Sequence, residues 1–203
     1  MGGERLRVVL ATRNADKVRE IAEILAGLPV DLVPVASLEG VPDVEETGET
    51  LEENAALKAR VVSEATAMVA LADDTGLEVD ALDGRPGVYS ARFAGPAATY
   101  ADNCRALLDA LRGVPEPRRA RFRTVVAMAR PDGTVELADG ACGGEILPEI
   151  RGEGGFGYDP VFRPDGETRA FAEMSAAEKH AVSHRGRAFR AARELVARLA
   201  ASA

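Results

Sequence analysis

Two adjacent carboxylates follow an apolar run in the segment LADDTG, residues 71–76. The side chains of Asp73 and Asp74 repel each other unless a cation compensates their charge. The carboxyl end of a strand is also where ligand sites form in open α/β sheets, and a bound divalent cation would relieve the repulsion. The pattern therefore favours a metal site over a purely structural acidic pair.

A second acidic pair, Glu45 and Glu46, precedes a Thr-Gly turn in the segment VEETGETLEEN, residues 44–54. Loop carboxylates of this kind either face water or bind a hard cation, and for an acidic run alone solvation is the simpler interpretation. Mg²⁺ binds through a few carboxylates while keeping waters and substrate phosphates. The residues that could provide such a site around a nucleotide are Glu45, Glu46, Asp73 and Asp74.

The segment ATRNADK, residues 11–17, joins a predicted strand to a predicted helix. Backbone N–H groups at a helix N-terminus attract anions. The side chains of Thr12 and Asn14 could add hydrogen-bond donors, and Lys17 adds a full positive charge. These features suit phosphate oxygens, although ordinary helix capping beside a solvated lysine explains the motif equally well.

Four glycines surround Phe156 in GEGGFGYDPVF, residues 152–162, and Tyr158, Asp159 and Pro160 follow at once. Glycine lets the backbone approach a ligand closely, and the aromatic rings offer flat faces for stacking. The segment therefore indicates a flat aromatic ligand.

The segment EMSAAEKHAVSHRGRA, residues 173–188, carries Lys179 and the trio Ser183, His184 and Arg185. Cationic side chains at a helix start oppose the helix dipole, so a purely structural reason for them is hard to find. A Ser-His nucleophile is not favoured, because sequence neighbours rarely adopt that geometry and no oxyanion motif accompanies them.

Strands and helices alternate in the elements that must position these residues. The apolar or β-branched runs at residues 6–12, 30–35 and 68–74 are predicted strands, and a hairpin is predicted around the turn PDG at residues 131–133. Helices are predicted after Asn14, at residues 50–66 with Thr50 as N-cap and Glu53 completing a capping box, near residues 99–112, and from about Ser183 to Ala200. The pattern predicts an α/β fold with a mixed sheet.

The composition limits the function classes. With 203 residues and 46% hydrophobic content, the chain is expected to form one domain over residues 1–203. A net charge of −8 argues against nucleic acid as a partner. Cys104 and Cys142 lack metal-ligand spacing, which suits a reducing compartment, and no segment reaches the ~20 apolar residues of a membrane span. A cytoplasmic protein is expected.

Taken together, the motifs resemble the inosine triphosphate pyrophosphatase family, which includes dITP/XTP pyrophosphatases. The matching segments occur in the family's order over nearly the whole chain: ATRNADK, ETGETLEENAALKA, ADDTGLEVDALDGRPGVYSARFAG, GGFGYDPVF and AEMSAAEKHAVSHRGRA. The resemblance implies hydrolysis of dITP, ITP or XTP/dXTP to the monophosphate and pyrophosphate with Mg²⁺, Mn²⁺ being possible. It also implies a twisted mixed sheet with flanking helices, two lobes with the active site in the cleft between them, and a homodimer.

The resemblance assigns roles to matching positions. Asp74 would activate water, and Thr75 would contact the substrate. The triphosphate would be held by Thr12, Asn14, Lys17 and Lys58, with Arg13 beside them. The metal would be held by one of Glu45 and Glu46 and by Asp73 or Asp74. The purine base would meet Phe156, Gly157, Tyr158, Asp159, Lys179, His184 and Arg185.

The first motif departs from the family pattern, in which glycines usually stand at the positions of Arg13 and Asp16. A carboxylate at Asp16 beside a triphosphate is unfavourable unless the side chain points away or joins the metal shell. Two alternatives remain open at this point: a Maf-like pyrophosphatase for pyrimidine or modified nucleotides, and a purine nucleotide sensor that does not cleave its ligand. Base preference would separate the first alternative, and absence of turnover the second.

Overall fold

A computed structural model describes residues 5–202 of the chain, with side chains for residues 5–201. Its strands are β1 Leu6–Leu10, β2 Val30–Pro34, β3 Val69–Val79, β4 Pro86–Gly87, β5 Arg119–Ala129, β6 Val135–Ile146 and β7 Phe162–Pro164. Its α-helices are α1 Ala15–Ile24, α2 Leu51–Thr66, α3 Tyr100–Ala110, α4 Ala176–Val182 and α5 His184–Ser202.

The strands form one seven-stranded mixed sheet in the order β2-β1-β3-β5-β6-β7, with β4 paired to β3. β1 runs parallel to both β2 and β3, whereas β4 pairs antiparallel with β3 and β7 antiparallel with β6. The predicted hairpin is present, because β5 and β6 are neighbours and a turn joins Arg130 to Thr134. The predicted α/β class with a mixed sheet and helices is therefore confirmed.

The chain folds into two compact units. The first comprises residues 5–74, 124–140 and 188–202 of the described chain, and the second comprises residues 75–123 and 141–187. In the first unit, α1 and α5 bury Ile21 and Phe189 against strand residues such as Val8 and Leu71. The core of the second unit includes Leu107, Phe122, Phe162 and Phe171. The expectation of one domain over the whole chain stays a prediction.

Helix α2 begins where the sequence predicts. The Thr50 hydroxyl accepts a hydrogen bond from the Glu53 amide at 3.1 Å, and the Glu53 carboxylate accepts one from the Thr50 amide at 3.2 Å. This reciprocal capping box satisfies two backbone donors that the helix itself leaves unpaired. It fixes the first turn of the helix that carries Asn54 and Lys58.

Two elements differ from the prediction. Strand β3 does not end at the acidic pair but continues to Val79, because Leu77 and Val79 are fully buried on either side of the half-buried Glu78. A short helix, α4, also precedes the last helix, at a position where no helix was predicted. Its signal was present in the sequence, since Ser175 and Glu178 have capping-box spacing and form that box.

Within residues 5–202, no helix has the length and apolar character that crossing a membrane requires.

Candidate active site

Carboxylates and lysines meet in the first unit at the end of the parallel strand pair. The amide of Ala11, directly after β1, donates to the Leu71 carbonyl of β3 at 2.7 Å, which aligns the carboxyl end of β1 with Asp73. Helix α1 follows this point and brings Lys17 in its first turn, whereas α2 brings Lys58. We call the resulting group the carboxylate–lysine cluster; its members are Lys17, Glu46, Lys58, Asp73 and Asp74.

Each lysine of this cluster forms an ion pair with a buried aspartate. Lys17 Nζ lies 3.0 Å from Asp73 Oδ2, and the Asp73 side chain has no exposed surface. Lys58 Nζ lies 2.5 Å from Glu46 Oε1 and 3.6 Å from Asp74 Oδ1. The structure thus brings the predicted phosphate lysines together with three of the four predicted metal carboxylates.

Burial and neighbouring charge act in opposite directions on the two central groups. Burial raises the pKa of Asp74 above its ordinary value, and the nearby Glu46 adds to this, whereas Lys58, Lys17 and the Asn54 amide only partly oppose it. Burial lowers the pKa of Lys58, but Asp74, Glu46 and Asp73 together outweigh that effect and raise it. Lys58 therefore stays protonated, and Asp74 is a better proton acceptor than an exposed aspartate.

Asn54 is a site residue to which sequence reasoning gave no role. Its side chain is fully buried on α2; Nδ2 donates to Asp74 Oδ2 at 3.1 Å, and Oδ1 accepts from the Gly48 amide at 2.7 Å. Gly48 has to be small, because a Cβ there would lie 2.7 Å from Asn54 Oδ1. Asn54 therefore fixes both the Asp74 carboxylate and the loop that carries Glu46. The sequence offered one indication of this role: Asn54 is a polar residue one helical turn before Lys58.

The donor chemistry of the cluster suits a hard divalent cation. Glu46, Asp73 and Asp74 supply carboxylate oxygens, the ligands that Mg²⁺ prefers. Within residues 5–201 no three His, Cys, Asp or Glu side chains are already gathered as a metal cage. Such a cage is not required, since Mg²⁺ keeps several waters and uses substrate phosphates. Glu45, the fourth predicted metal carboxylate, is exposed to solvent.

The start of α1 is capped by the protein itself. Asn14 Oδ1 accepts hydrogen bonds from the amides of Asp16 at 2.9 Å and Lys17 at 3.2 Å, and Thr12 Oγ1 accepts one from the Asn14 amide at 3.2 Å. The Asp16 carboxylate pairs with Arg19 at 2.6 Å, one turn further along the helix. The acid that replaces the usual glycine therefore has its own cationic partner.

Arg13, the second departure from the family pattern, contacts the loop before Glu45. Its Nη2 donates to the Val41 carbonyl at 3.0 Å, and its Nε forms an ion pair with Asp43. The side chain is thus placed against this loop, and its predicted contact with substrate stays a prediction.

A second group of predicted site residues surrounds Phe156 in the second unit. The Asp159 carboxylate is almost completely buried and accepts hydrogen bonds from the Phe156 amide and from Lys179 Nζ, both at 2.7 Å. Gly155 makes this possible, because it has a φ of +70° and a Cβ there would lie 2.1 Å from Asp159 Oδ2. The glycines of this loop therefore serve its tight turn around a buried carboxylate.

Cations lie over the ring of Phe156. Lys179 Nζ is 4.8 Å and Arg185 Cζ 5.0 Å from the ring centroid. Arg185 Nη2 also donates to Thr75 Oγ1 at 3.4 Å, which places another predicted substrate contact beside this group. Hydrogen-bond donors thus accompany the predicted stacking ring.

Tyr158 and His184, two of the predicted base contacts, have buried side chains that contact the core of the second unit. The hydroxyl of Tyr158 donates to the Ser90 carbonyl at 2.8 Å, and burial raises the pKa of this hydroxyl. The imidazole of His184 stacks on Phe122 with a centroid distance of 4.4 Å. Both side chains therefore have partners inside the second unit, and their direct contact with a base stays a prediction.

Known proteins resemble this chain over almost its full length. The model of the Ham1 family matches residues 8–195. A dITP/XTP pyrophosphatase from Desulforamulus reducens is 48% identical over 195 residues, covering 96% of this chain and 97% of the relative. A dITP/XTP pyrophosphatase from Deinococcus deserti is 55% identical over 185 residues, covering 91% of this chain and 86% of the relative.

Solved structures agree with these sequence matches. A HAM1 protein from Coxiella burnetii superposes with a TM-score of 0.86 at 40% identity, covering 94% of this chain and 98% of that chain. A nucleoside-triphosphatase / dITP/XTP pyrophosphatase from Mycobacterium abscessus gives a TM-score of 0.75 at 40% identity, covering 92% of this chain and 98% of that chain.

Replacing Lys58 with methionine tests the balance of charge in the cluster. Lys58→Met leaves buried acid uncompensated, so we expect the free energy of unfolding to fall by about 3 kcal/mol at about pH 8. Loss of the ammonium raises the folded-state pKa of Asp74 further above its unfolded value. The variant is then most stable where Asp74 is protonated, and its deficit grows as the pH rises from about 5 to about 8.

Urea denaturation of both proteins across this pH range measures the effect. The matched control is Arg19→Met, which removes the exposed partner of Asp16 and should cost less than about 1 kcal/mol at any of these pH values. A Lys58→Met deficit as small as that of the control would contradict the proposed charge balance.

Proposed function

Since the chain belongs to the Ham1 family, we propose that it hydrolyses non-standard purine nucleoside triphosphates, namely dITP, ITP and XTP/dXTP, to the monophosphate and pyrophosphate. The observation that carries this proposal is the carboxylate–lysine cluster, which lies beside the carboxyl end of β1 and the middle of β3 and is a site for a divalent cation and phosphates. The names of the relatives, dITP/XTP pyrophosphatase, support the choice of substrate.

The triphosphate binds through the lysines of the cluster. Lys17 and Lys58 exchange their carboxylate partners for phosphate oxygens, and Thr12 and Asn14 lie beside them at the start of α1. The exchange is favourable only if the carboxylates gain another cation, because three acids already exceed two ammonium groups in this cluster. Affinity for the triphosphate therefore depends on a divalent cation.

Glu46, Asp73 and Asp74 are the proposed ligands of that cation, Mg²⁺ or Mn²⁺. Of the two loop acids, Glu46 is chosen because it contacts Lys58, whereas Glu45 is exposed. The bound cation supplies charge stabilisation for the departing pyrophosphate.

Asp74 is the proposed general base. Its raised pKa makes it a better proton acceptor than an exposed aspartate, and the Asn54 amide orients its carboxylate. Asp74 takes the proton of the water that attacks the α-phosphorus. Lys58 then compensates the negative charge that the phosphate oxygens gain in the transition state.

The purine base is proposed to stack on Phe156. The cationic groups of Lys179 and Arg185, which lie over this ring in the absence of a base, then donate to the 6-keto oxygen of hypoxanthine or xanthine, whereas adenine presents an amino group there. Donors left unpaired against adenine cost binding energy, which favours the keto purines. Stacking on Phe156 contributes about 1–3 kcal/mol to the binding free energy of the base. Part of this gain is lost, because the base displaces the cation–π contacts of the ring.

The matches do not favour the two alternatives, a Maf-like enzyme and a sensor without turnover. A homodimer and a cytoplasmic location complete the proposal, and both stay predictions. The dimer is an expectation from the family resemblance, and the location fits an enzyme that acts on the nucleotide pool.

A substrate panel tests the proposed function. We expect pyrophosphate release from dITP and XTP with Mg²⁺, at least about a hundredfold faster than from dATP or dTTP, and none with chelator. Release can be followed by a coupled phosphate assay with inorganic pyrophosphatase. Turnover mainly of dTTP would instead support the Maf-like enzyme, and nucleotide binding without any turnover would support the sensor.

Replacing the proposed base tests its role. Asp74→Asn keeps the shape of the side chain but cannot accept the proton, so kcat for dITP should fall by about a thousandfold or more while nucleotide binding persists. The control, Asp109→Asn, removes an exposed aspartate that pairs with Arg112 on the surface of α3 and should leave turnover unchanged. Normal turnover by Asp74→Asn would remove this assignment.

A further inference from the structure

An exposed tyrosine lies against the proposed stacking ring. The ring centroids of Tyr100 and Phe156 are 5.8 Å apart with an interplanar angle of 41°. Tyr100 remains 43% exposed, so this large aromatic side chain is not placed there by burial in the core. Nothing in the motifs that identify the family assigns it a role.

Tyr100 is the first residue of α3, and side-chain hydrogen bonds fix this end of the helix. The preceding residue, Thr99, accepts a hydrogen bond from the Asp102 amide at 3.1 Å, and Asp102 accepts one from the Thr99 amide at 2.9 Å. Buried Asn103 ties the same turn to the chain before it, since its Oδ1 accepts from the Ala94 amide at 2.8 Å and its Nδ2 donates to the Ala91 carbonyl at 3.1 Å. The start of α3 is therefore fixed on two sides.

The same helix face contacts the glycine-rich loop at a second point. Cys104 lies one turn after Tyr100, and its thiol donates to the Gly157 carbonyl at 3.3 Å. Residues four apart share one face of a helix, so Tyr100 and Cys104 together align α3 with the loop that carries Phe156. The contact of the two rings is thus a consequence of how the helix docks.

The distance between the rings decides how Tyr100 can serve a ligand. A base inserted between two parallel rings needs their centroids about 7 Å apart, twice the contact distance of about 3.5 Å. At 5.8 Å the rings touch each other and leave no room for a base between them. At an interplanar angle of 41°, Tyr100 instead presents a tilted aromatic face beside the Phe156 ring, which the edge of a base stacked on Phe156 can contact.

We propose that Tyr100 is a specificity-determining residue of the substrate site, which adds a second, tilted aromatic face beside Phe156 for the bicyclic purine base. One ring of the base covers Phe156 and the other reaches Tyr100, whereas the single ring of a pyrimidine is covered by Phe156 alone. The inference rests on the proposed function, because it assigns Tyr100 to the base of the same nucleotide.

The test compares ligands that share the triphosphate but differ in the base. The Kd of the α,β-imido analogue of dITP, measured by calorimetry with Mg²⁺, should rise about tenfold in Tyr100→Ala. The Kd of the corresponding dUTP analogue and of inorganic tripolyphosphate should change by less than about threefold. In turnover, KM for dITP should rise while kcat stays within about twofold, because stacking is equal in the ground and transition states.

Three further variants separate stacking from a structural role. Tyr100→Phe keeps the ring and should behave like the unsubstituted protein, whereas Tyr100→Leu keeps apolar bulk without an aromatic face and should behave like Tyr100→Ala. The control, Tyr89→Ala, removes another exposed tyrosine of the second unit, whose ring contacts Arg92, and should change none of these constants.

The outcomes distinguish failure of this inference from failure of the proposed function. Equal weakening of all three ligands in Tyr100→Ala, or no weakening of the dITP analogue, would overturn the role of Tyr100. Absence of dITP turnover by the unsubstituted protein would refute the proposed function, while base-dependent binding that requires Tyr100 would still support the stacking role.

Discussion

The pairing of buried aspartates in β3 with two lysines near the carboxyl end of β1 is the interaction on which the proposed chemistry depends. Asp73 has no exposed side-chain surface and Asp74 little, so neither carboxylate could remain ionised there without a cation. Lys17 and Lys58 supply that charge from two different helices. The elements of the first unit, from the capped start of α1 to the capping box of α2, serve to hold these two ammonium groups in place.

The same pairing explains how one set of residues serves two states. Before a nucleotide binds, the lysines and carboxylates neutralise one another, and the cluster carries a small excess of negative charge. This excess repels a bare triphosphate but attracts a divalent cation, so the proposed site favours the metal–nucleotide complex over either component. Asn54 orients the Asp74 carboxylate, because its side-chain amide donates to the acid and accepts from the Gly48 amide in the loop before α2.

Local signals were sufficient for much of the fold. The Thr50–Glu53 capping box, the strand before Thr12 and the hairpin around Gly133 depend on residues close in sequence, and all are present. The continuation of β3 through Thr75 was missed because the acidic pair was taken as the strand end. The sequence did not show that Leu77 and Val79 would be buried.

The sequence identified the charged residues of the site. It did not identify residues whose roles depend on contacts with segments distant in sequence. The structure brings Lys17 and Lys58, the predicted phosphate contacts, next to Asp73 and Asp74, the predicted metal ligands. Asn54 could not be assigned, since its role requires knowing that a buried carboxylate lies 20 residues away in sequence. The proposed role of Tyr100 likewise could not be predicted, because it depends on α3 packing against the loop that carries Phe156.

The most direct test of the account is to identify which phosphorus atom the water attacks. dITP is hydrolysed with Mg²⁺ in ¹⁸O-labelled water, and the products are analysed by mass spectrometry. Attack at the α-phosphorus, as proposed for water activated by Asp74, places one labelled oxygen in dIMP and none in pyrophosphate. Label in pyrophosphate, or release of dIDP with labelled phosphate, would contradict the account.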